Sequence, residues 1–469
     1  MRHNADRLRP AIGGFAYNEI GVNEYTMPMP QEQLNREVLR RRLLLSSALL
    51  MACAASAANA AEFKFAFGKG DAPAGFTQVA PGAAYDAKQG YGFVDAGAPA
   101  SPDKPAVSLF AVDVPEGNYD VTVRFGDLAK ATSNTVKAES RRLMIEKVET
   151  KPGQYETRTF TVNVRRPAIA GGGSVSLKDP EKTPVLVPDW DDKLTLEFNG
   201  KNPGVASVEI KPVSDAVTVY IAGDSTVTDG ARGPYSGWGQ MLPRFFKQGV
   251  AVSNHSWSGL SLASFKSQKR LDKILGTMKK GDYLFVQFGH NDQKEKGENA
   301  GPFKSYKSNL KKYVEAVRGK GGIPVLVTSM ERRRWKGDEP EPTLSDYAEA
   351  VRQVGEEDKV PVIDLNEMSL KFYTALGAEK SKKAFVFYPA GTFPGKSEEL
   401  KDNTHHNDYG AYELSRCVVE GIKANVPELA KSLSDDAGTF DPANPDPVDT
   451  FDIPMTPMKG AASEKPAGS

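Results

Sequence analysis

The stretch AVTVYIAGDSTVTD (residues 216–229) begins as an apolar run and ends in glycine, aspartate, serine and threonine. An apolar run bounded by turn residues is typical of a buried β-strand. Gly223, Asp224 and Ser225 can supply a turn or a helix cap without any chemistry. A serine that follows a buried strand can also act as a nucleophile, because ligands of open α/β sheets bind beyond the carboxyl ends of the strands. The stretch is therefore compatible with two roles for Ser225, a turn residue or a nucleophile.

The pattern of the chain changes just before this stretch. Between residues 61 and 212, short alternating segments such as YDVTVRFG and YETRTFTVNV are separated by turn residues, which predicts an all-β, jelly-roll-like sandwich. Over residues 213–431, strands alternate with helices, which indicates an α/β domain with a mostly parallel sheet. A chain of 469 residues is long enough for two such cores. Residues 432–469 are rich in proline and aspartate and are expected to form a disordered tail or an irregular strap.

The first 60 residues are interpreted as an export leader. An arginine-rich segment precedes an apolar stretch and an Ala-Asn-Ala cleavage site, so the mature chain is expected to begin at Ala61 and to be periplasmic or extracellular. Translation from Met27 or Met29 and a lipid anchor at Cys53 are the alternatives. No later segment reaches the roughly 20 apolar residues that a membrane-spanning helix needs.

The charge and cysteine content of the chain exclude several classes of binding partner and of covalent stabilisation. The chain has 60 basic and 60 acidic residues, so no overall field favours a nucleic acid or an anionic membrane as partner. Once the leader with Cys53 is removed, Cys417 is the remaining cysteine, which leaves no intramolecular disulfide. Stability must then come from packing, and Cys417 is expected to be a buried thiol.

Four polar motifs follow predicted strands or precede the last predicted helix. Because the carboxyl ends of parallel strands meet at one edge of a sheet, these motifs are expected to converge. They are GDS (residues 223–225), NHSWSGLS (254–261), FGHNDQ (288–293) and DNTHHNDYGA (402–411).

Together these motifs can carry out acyl transfer. A serine hydroxyl becomes nucleophilic when an imidazole removes its proton, and the imidazole needs a carboxylate on its other nitrogen. Asp402 and His405 are three residues apart, and we expect them to share one face of a loop or first helical turn and to reach Ser225. The backbone N–H groups of Ser225 and Gly259 and the side-chain amide of Asn291 are candidate donors to the oxyanion.

The four motifs, in this order, resemble the four blocks of the SGNH (GDSL-type) hydrolases. The segments GDSTVTD, GWGQMLP, SWSGLSLASF, QFGHNDQK and DNTHHNDYGA are more closely similar to rhamnogalacturonan acetylesterases, which remove acetyl groups from pectic polysaccharide. The resemblance covers residues 217–427. It implies a flavodoxin-like three-layer fold, Ser225 as nucleophile, Asp402 and His405 as the rest of the triad, Gly259 and Asn291 as oxyanion donors, and no cofactor.

Each motif alone permits another interpretation. GDS by itself is more typical of a turn, and FGHNDQ can form a hydrogen-bonded corner. The cluster Asp402, His405, His406 and Asp408 has the donor types of a zinc site. The resemblance instead gives His405 a carboxylate partner, and consecutive histidines point in different directions, so we expect no metal.

The substrate prediction depends on residues around these motifs. MERRRWKG (residues 330–337) follows a predicted strand, and arginine forks suit the carboxylates of galacturonate. Acetylated plant cell-wall polysaccharide is therefore the expected partner, with acetylxylan or lipid esters and a non-catalytic glycan-binding role as alternatives. The sandwich is a possible carbohydrate-binding accessory domain, a spacer or a folding partner. The candidate substrate contacts are Trp238, Trp257, His290, Arg333 and Arg334.

Overall fold

The structure is a computed structural model of the chain. It describes residues 61–68, 71–94, 108–182, 189–230, 232–456 and 464–466. The leader expected over residues 1–60, with its cleavage site and Cys53, lies outside the described residues. No helix within these ranges combines the length and the apolar character that crossing a membrane requires.

The described residues before 214 form two five-stranded sheets and one short helix, α1 (Asp179–Lys182). The strands are β1 (Phe63–Phe67), β2 (Thr77–Val79), β3 (Tyr91–Phe93), β4 (Ser108–Asp113), β5 (Gly117–Phe125), β6 (Thr132–Ala138), β7 (Arg142–Thr150), β8 (Glu156–Val164), β9 (Lys193–Asn202) and β10 (Val205–Val213). One sheet has the order β2-β1-β10-β5-β8 and the other β3-β4-β9-β6-β7. The pairings are antiparallel except for β1 with β2.

Alternation of side chains along these strands produces a shared core. In β5, the side chains of Val121, Val123 and Phe125 are fully buried, whereas Thr122 and Arg124 between them are more exposed. Successive residues of a strand point to opposite faces, so one face of β5 is apolar. Apolar residues of both sheets meet in a single cluster. The jelly-roll connectivity and the boundary at 212 stay predictions.

The second half of the chain contains a five-stranded sheet in which every pairing is parallel. Its strands are β11 (Val217–Gly223), β12 (Val250–Asn254), β13 (Tyr283–Gln287), β14 (Ile323–Val327) and, after the hairpin β15 (Trp335–Lys336) and β16 (Glu339–Pro340), β17 (Val362–Ile363). The order β12-β11-β13-β14-β17 reverses direction beside β11. The expected parallel α/β sheet is confirmed, and the crevice at this reversal is where such sheets bind ligands.

Helices cover both faces of the parallel sheet. In β11, Val219 and Ile221 belong to one apolar cluster, and Tyr220 and Ala222 belong to another on the opposite face. This is why the strand is apolar throughout rather than alternating. The helices are α2 (Trp238–Met241), α3 (Leu262–Ser267), α4 (Arg270–Thr277), α5 (Lys307–Gly319), α6 (Ser345–Glu357), α7 (Leu365–Lys380), α8 (Asp408–Asn425) and α9 (Pro427–Ala430).

An antiparallel pair of strands leads into the last long helix. It is formed by β18 (Phe385–Tyr388) and β19 (Leu400–His406), and α8 begins two residues after β19. Asn407 caps α8 because its side chain accepts a hydrogen bond from the N–H of Gly410. Cys417, in α8, is free and fully buried.

The two halves of the chain are in close contact, and the described residues from 61 onward belong to one compact unit. Charged side chains are buried where they meet. Arg142 donates to the carbonyl oxygens of Asn163 and Val252 and lies 3.3 Å from the Asp229 carboxylate.

Part of the segment expected as a tail packs against both halves. The Tyr409 hydroxyl donates to the carbonyl oxygen of Asp446 over 2.7 Å, and Lys137 Nζ donates to the carbonyl oxygen of Pro454 over 2.7 Å. Thr456 Oγ1 donates to the buried Glu197 carboxylate over 2.7 Å. Residues 446–456 therefore bridge α8 and the N-terminal sheets.

Candidate active site

Ser225 lies in a tight turn directly beyond β11. The Asp224 carboxylate accepts hydrogen bonds from the N–H and the hydroxyl of Thr226, over 2.9 and 2.8 Å. This local pairing explains the sequence GDST, because aspartate stabilises a turn by accepting from the backbone two residues ahead. The turn interpretation of the stretch therefore applies to Asp224, and the role of Ser225 as a nucleophile stays a prediction.

The structure joins Ser225, His405 and Asp402 in one chain of hydrogen bonds. Ser225 Oγ lies 2.8 Å from His405 Nε2, and His405 Nδ1 lies 2.9 Å from Asp402 Oδ2. All three residues are at most 4% exposed. Such a chain can pass a hydroxyl proton to the imidazole while the carboxylate stabilises the resulting cation, which is the chemistry of acyl transfer.

The backbone around Asp402 differs from the sequence expectation. Asp402 and His405 lie in strand β19, not in a loop or a first helical turn. Residues three apart in a regular strand point to opposite faces. Here Asp402 Oδ1 accepts from the N–H groups of Thr404 and His405, over 2.8 and 3.0 Å, and the pairing of β18 with β19 is irregular. This local turn brings the carboxylate and the imidazole to the same side.

The same bonds keep the Asp402 carboxylate charged. Burial raises the pKa of Asp402, but the hydrogen bond and the charge of His405 together with the two backbone N–H groups outweigh it. The net pKa of Asp402 therefore lies below its ordinary value, and the group is an anion at neutral pH.

The candidate oxyanion donors belong to loops that are bonded to each other and to β11. Asn291 Nδ2 donates to the carbonyl oxygen of Leu260 over 3.0 Å, and the N–H of Trp257 donates to the carbonyl oxygen of Gly223 over 3.3 Å. Gly259 has a φ of 76°, in the left-handed region that favours glycine. The loops that carry Gly259 and Asn291 are thus fixed beside the strand that carries Ser225.

Two of the expected substrate contacts are fully buried in the structure. Trp238 is fully buried, and its indole N–H donates to Gln287 over 2.7 Å, so the ring is core and offers no face for a sugar. His290 is also fully buried, with Nδ1 lying 3.4 Å from Asp224 Oδ2. Burial lowers the pKa of His290 despite this neighbour, so the imidazole is neutral. The sequence could not separate a buried ring from an exposed one after a strand or turn.

The arginine cluster is divided in a way that the sequence did not predict. Arg333 donates to Ser381, Asn403 and Ala378, so its fork is occupied by the protein itself. Arg334 is largely exposed and pairs with Glu341 over 2.8 Å. Trp257 is partly buried against the sheet.

Arg333 and Arg334 both line a basic groove that the sequence did not single out. It has a volume of about 880 Å³, and no carboxylate lines it. Its lining cations include Lys294 and Lys296, which follow directly after FGHNDQ, and Arg332. Their position after the third strand of the sheet was the available signal.

A further cation reaches the triad from the end of the described chain. Lys465 Nζ lies 3.8 Å from Asp402 Oδ2, and the neighbouring Glu464 pairs with Lys396 over 2.7 Å. The ring of Tyr235 meets that of His405 edge-on at 5.9 Å between centroids. No local pattern marked Lys465 or Tyr235 as part of a site.

The zinc alternative does not match the side-chain directions. His406 Nε2 bonds to the Tyr373 hydroxyl over 2.8 Å, and Asp408 accepts from Arg141 over 2.8 Å. Within the described ranges, no group of three or more histidine, cysteine or acidic side chains is arranged to hold a metal ion. His405 and its neighbours therefore have partners other than a shared metal centre.

Comparison with known proteins identifies a family. Residues 221–410 match the GDSL-like Lipase/Acylhydrolase family. The chain is 40% identical over 222 residues, 47% of its length and 93% of the relative, to "Rhamnogalacturonan acetylesterase RhgT" of Bacillus subtilis (strain 168). It is 28% identical over 409 residues, 80% of its length and 95% of the relative, to "Uncharacterized esterase YxiM" of the same organism.

Among solved structures, a crystal structure of the Bacillus subtilis protein YXIM covers 78% of this chain and 98% of its own, with 24% identity and a TM-score of 0.41. The family match contains Ser225 and His405, and the relative at 40% identity is spanned almost completely. The chain therefore belongs to the GDSL-like Lipase/Acylhydrolase family and is a carboxylic ester hydrolase of the SGNH type.

Proposed function

We propose that this esterase removes acetyl groups from an acidic pectic polysaccharide of the rhamnogalacturonan type, through an acetyl-enzyme formed on Ser225. The observation that carries the proposal is the unbroken hydrogen-bond chain from Ser225 through His405 to Asp402 beside a groove lined by cations and no carboxylate. Relatives at 40% and 38% identity described as rhamnogalacturonan acetylesterases, the second of them as probable, support the same substrate.

In the proposed mechanism, Ser225 Oγ attacks the acetyl carbonyl carbon while His405 Nε2 takes its proton. Asp402 accepts from His405 Nδ1, which fixes the tautomer and stabilises the imidazolium. The backbone N–H groups of Ser225 and Gly259 and the amide of Asn291 donate to the oxyanion. His405 then protonates the departing sugar oxygen, and a water molecule activated by His405 hydrolyses the acetyl-enzyme to acetate.

The groove supplies the substrate preference. Burial, and next the charge of Arg332, lower the pKa of Lys294, so the cations of this groove repel one another. A carboxylate of a neighbouring uronate unit would relieve this repulsion. Because the lining includes Lys294, Lys296 and Arg332 with no acidic side chain, a polymer bearing carboxylates is attracted and a neutral one is not.

The test compares acetate release from acetylated rhamnogalacturonan, from acetylated xylan and from a small neutral acetyl ester. Lys294→Ala is expected to raise KM for the acidic polymer by about 3- to 10-fold, the effect of one partly screened charge contact, and to change hydrolysis of the neutral ester less than about twofold. Lys312→Ala, which removes an exposed lysine from α5, is the matched control.

Each outcome of this comparison supports or contradicts the proposed substrate. Equal losses on the acidic polymer and on the small ester would contradict a carboxylate role for Lys294. Release from acetylated xylan alone would keep the esterase and reject the pectic substrate. Loss of the difference between Lys294→Ala and the parent chain at high salt is the expected sign of an electrostatic effect.

We also propose that residues 1–60 direct export and are removed before Ala61. The support is the arginine-rich, apolar and small-residue order of this segment. N-terminal sequencing of the protein recovered outside the cytoplasm is expected to begin at Ala61. A product that keeps Cys53 as its lipid-modified first residue would contradict this cleavage site and support the lipid-anchor alternative.

A further inference from the structure

A second cavity lies where the N-terminal sheets meet the parallel sheet. Its volume is about 350 Å³, and it is lined from one side by residues of β5 and β8 and from the other by residues of β11, β12 and α4. Its lining does not include Ser225, Asp402 or His405. A volume near 300 Å³ is the lower limit for pockets that bind small molecules. The cavity is therefore large enough for one sugar unit and separate from the triad.

The charged residues that line this cavity are mostly cations. They are Arg165, Lys273 and Lys279, against one carboxylate, Glu116. That carboxylate already forms an ion pair, because Glu116 Oε1 lies 2.5 Å from Lys273 Nζ. Lys279 is exposed at the cavity and donates to the carbonyl oxygen of Ser214 over 2.7 Å. No carboxylate within the lining itself therefore pairs with Arg165.

Arg165 is a buried cation of this lining and is incompletely bonded. It is 3% exposed, and its Nη2 lies 3.4 Å from Asp189 Oδ2, a carboxylate that Arg142 approaches equally closely. Its Nε and Nη1 have no hydrogen-bond partner among the described residues. A buried guanidinium with unused donors is unfavourable, and a carboxylate is the group that fits its planar fork.

The neutral lining suits hydroxyl groups. Asn163 Nδ2 donates to Asn118 Oδ1 over 2.8 Å, and Asn118 Nδ2 donates to Thr218 Oγ1 over 2.9 Å, which fixes both amides. Asn163 Oδ1 and His255 Nδ1 have no hydrogen-bond partner among the described residues. Burial, and next the charge of Arg165, hold the pKa of His255 well below its ordinary value, so the ring is neutral. An acceptor and a neutral imidazole thus lie near the arginine.

We propose that this cavity binds a uronate, which is a monosaccharide that carries a carboxylate. The carboxylate contacts Arg165, and the ring hydroxyls contact Asn163 and His255. The site goes beyond the proposed esterase function, because it needs no ester and lies on the seam with the N-terminal sheets. It would give those sheets a direct part in sugar recognition.

Calorimetric titration of the full chain with galacturonate and with galactose tests the proposal. The two sugars differ at C6, where galacturonate has a carboxylate and galactose a hydroxymethyl group, and neither carries an ester that the enzyme could consume. Galacturonate is expected to bind at least about tenfold more tightly, because a charge-assisted bidentate contact is lost with galactose. Equal affinity for the two sugars, or no binding of galacturonate, would overturn the proposal. Inorganic phosphate binding as tightly as galacturonate would do the same, since the site would then recognise any small anion.

Three variants locate the binding. Arg165→Gln is expected to weaken galacturonate binding by more than about tenfold, and its fold is checked by its melting temperature. Lys279→Ala removes an exposed side chain that the fold does not require and is expected to weaken binding by about 2- to 5-fold, as a rim charge does. Lys280→Ala, one residue further and outside the lining, is the matched control and is expected to leave binding unchanged.

The basic groove at the triad is a competing site for the same sugar, so the titration is repeated with Lys294→Ala. Binding that survives Lys294→Ala and weakens in Lys279→Ala supports the seam cavity. Binding lost in Lys294→Ala and kept in both Lys279→Ala and Arg165→Gln would overturn this proposal and leave the proposed esterase function intact.

Discussion

Ser225→Ala is expected to lower kcat for hydrolysis of a small acetyl ester by at least about 10³-fold while KM changes little. The hydroxyl is the atom that forms the acetyl-enzyme in the proposed mechanism, and serine enzymes that lose their nucleophile retain only the contribution of the oxyanion site and of binding. Ser225 Oγ already lies 2.8 Å from His405 Nε2, so no rearrangement of the free enzyme is needed before proton transfer.

The measurement is steady-state hydrolysis of a chromogenic acetate ester, with melting temperatures to show that each variant is folded. His405→Ala and the double variant with Ser225→Ala are expected to lose about as much as Ser225→Ala alone, because residues that act as one unit have non-additive effects. Ser415→Ala is the matched control, since Ser415 is an equally buried serine in α8 whose hydroxyl has no hydrogen-bond partner among the described residues.

The outcome that counts against this mechanism is retention of more than about a tenth of the parent kcat by Ser225→Ala. Activity would then come from another group, and the hydrogen-bond chain would be structural. If kcat falls in Ser225→Ala but not in His405→Ala, Ser225 would still be the nucleophile, but His405 would not be its base.

The sequence predicted the parts of this site that depend on local pattern. An apolar run at 217–223 that ends in GDS predicts both the strand and the turn, because burial on two faces and turn chemistry are local properties. The spacing of Asp402 and His405 predicted their pairing, although the structure achieves it in a strand that bends around the carboxylate.

The features of the site that the sequence did not predict concern contacts made over long sequence distances. Trp238 and His290 lie within the motifs GWGQMLP and FGHNDQ, yet packing buries both, and burial is decided by the whole fold. Arg333 lines the groove, but its guanidinium is bonded by residues more than 40 positions away. Lys465 and Arg141 approach the site from regions with no motif at all, so no local signal could have indicated them.

Arg141 connects the N-terminal sheets to the triad. It lies in the tight turn between β6 and β7, is 2% exposed, and has a φ of 63°, which a non-glycine residue adopts at some cost. Its guanidinium donates to the carbonyl oxygens of Gly230 and Tyr235, over 3.0 and 3.3 Å, and to the Asp408 carboxylate over 2.8 Å. One side chain from the N-terminal half thus holds the loop before α2 against the start of α8.

Both of the segments that Arg141 joins contact His405. Asp408 begins α8 three residues after His405, and the ring of Tyr235 packs edge-on against the imidazole. The N–H of Ser236 also donates to the carbonyl oxygen of His406 over 3.0 Å. We therefore expect loss of Arg141 to loosen the strand end that positions the imidazole, which would make Arg141 a positioning residue.

Arg141→Ala is expected to lower kcat for the small ester by about 10- to 100-fold with a smaller change in KM, because a misplaced base weakens proton transfer more than binding. It also leaves Asp408 buried without its cation, which is expected to cost about 3–5 kcal/mol in the free energy of unfolding. Arg141→Lys keeps the charge but not the fork, and is expected to restore most of the stability and only part of kcat.

The control for Arg141→Ala is Arg244→Ala. Arg244 also crosses the seam, where it pairs with Glu146 of β7 and with Asp436, but none of these contacts involves His405. Its removal is expected to lower the melting temperature and to leave kcat of the folded enzyme within about twofold, as loss of a seam contact alone would do. If Arg141→Ala behaves in the same way, with stability lost and kcat kept, the N-terminal sheets support only the fold. A loss of kcat that is specific to Arg141→Ala, measured well below the melting temperature of both variants, means instead that the catalytic unit of this esterase extends into those sheets.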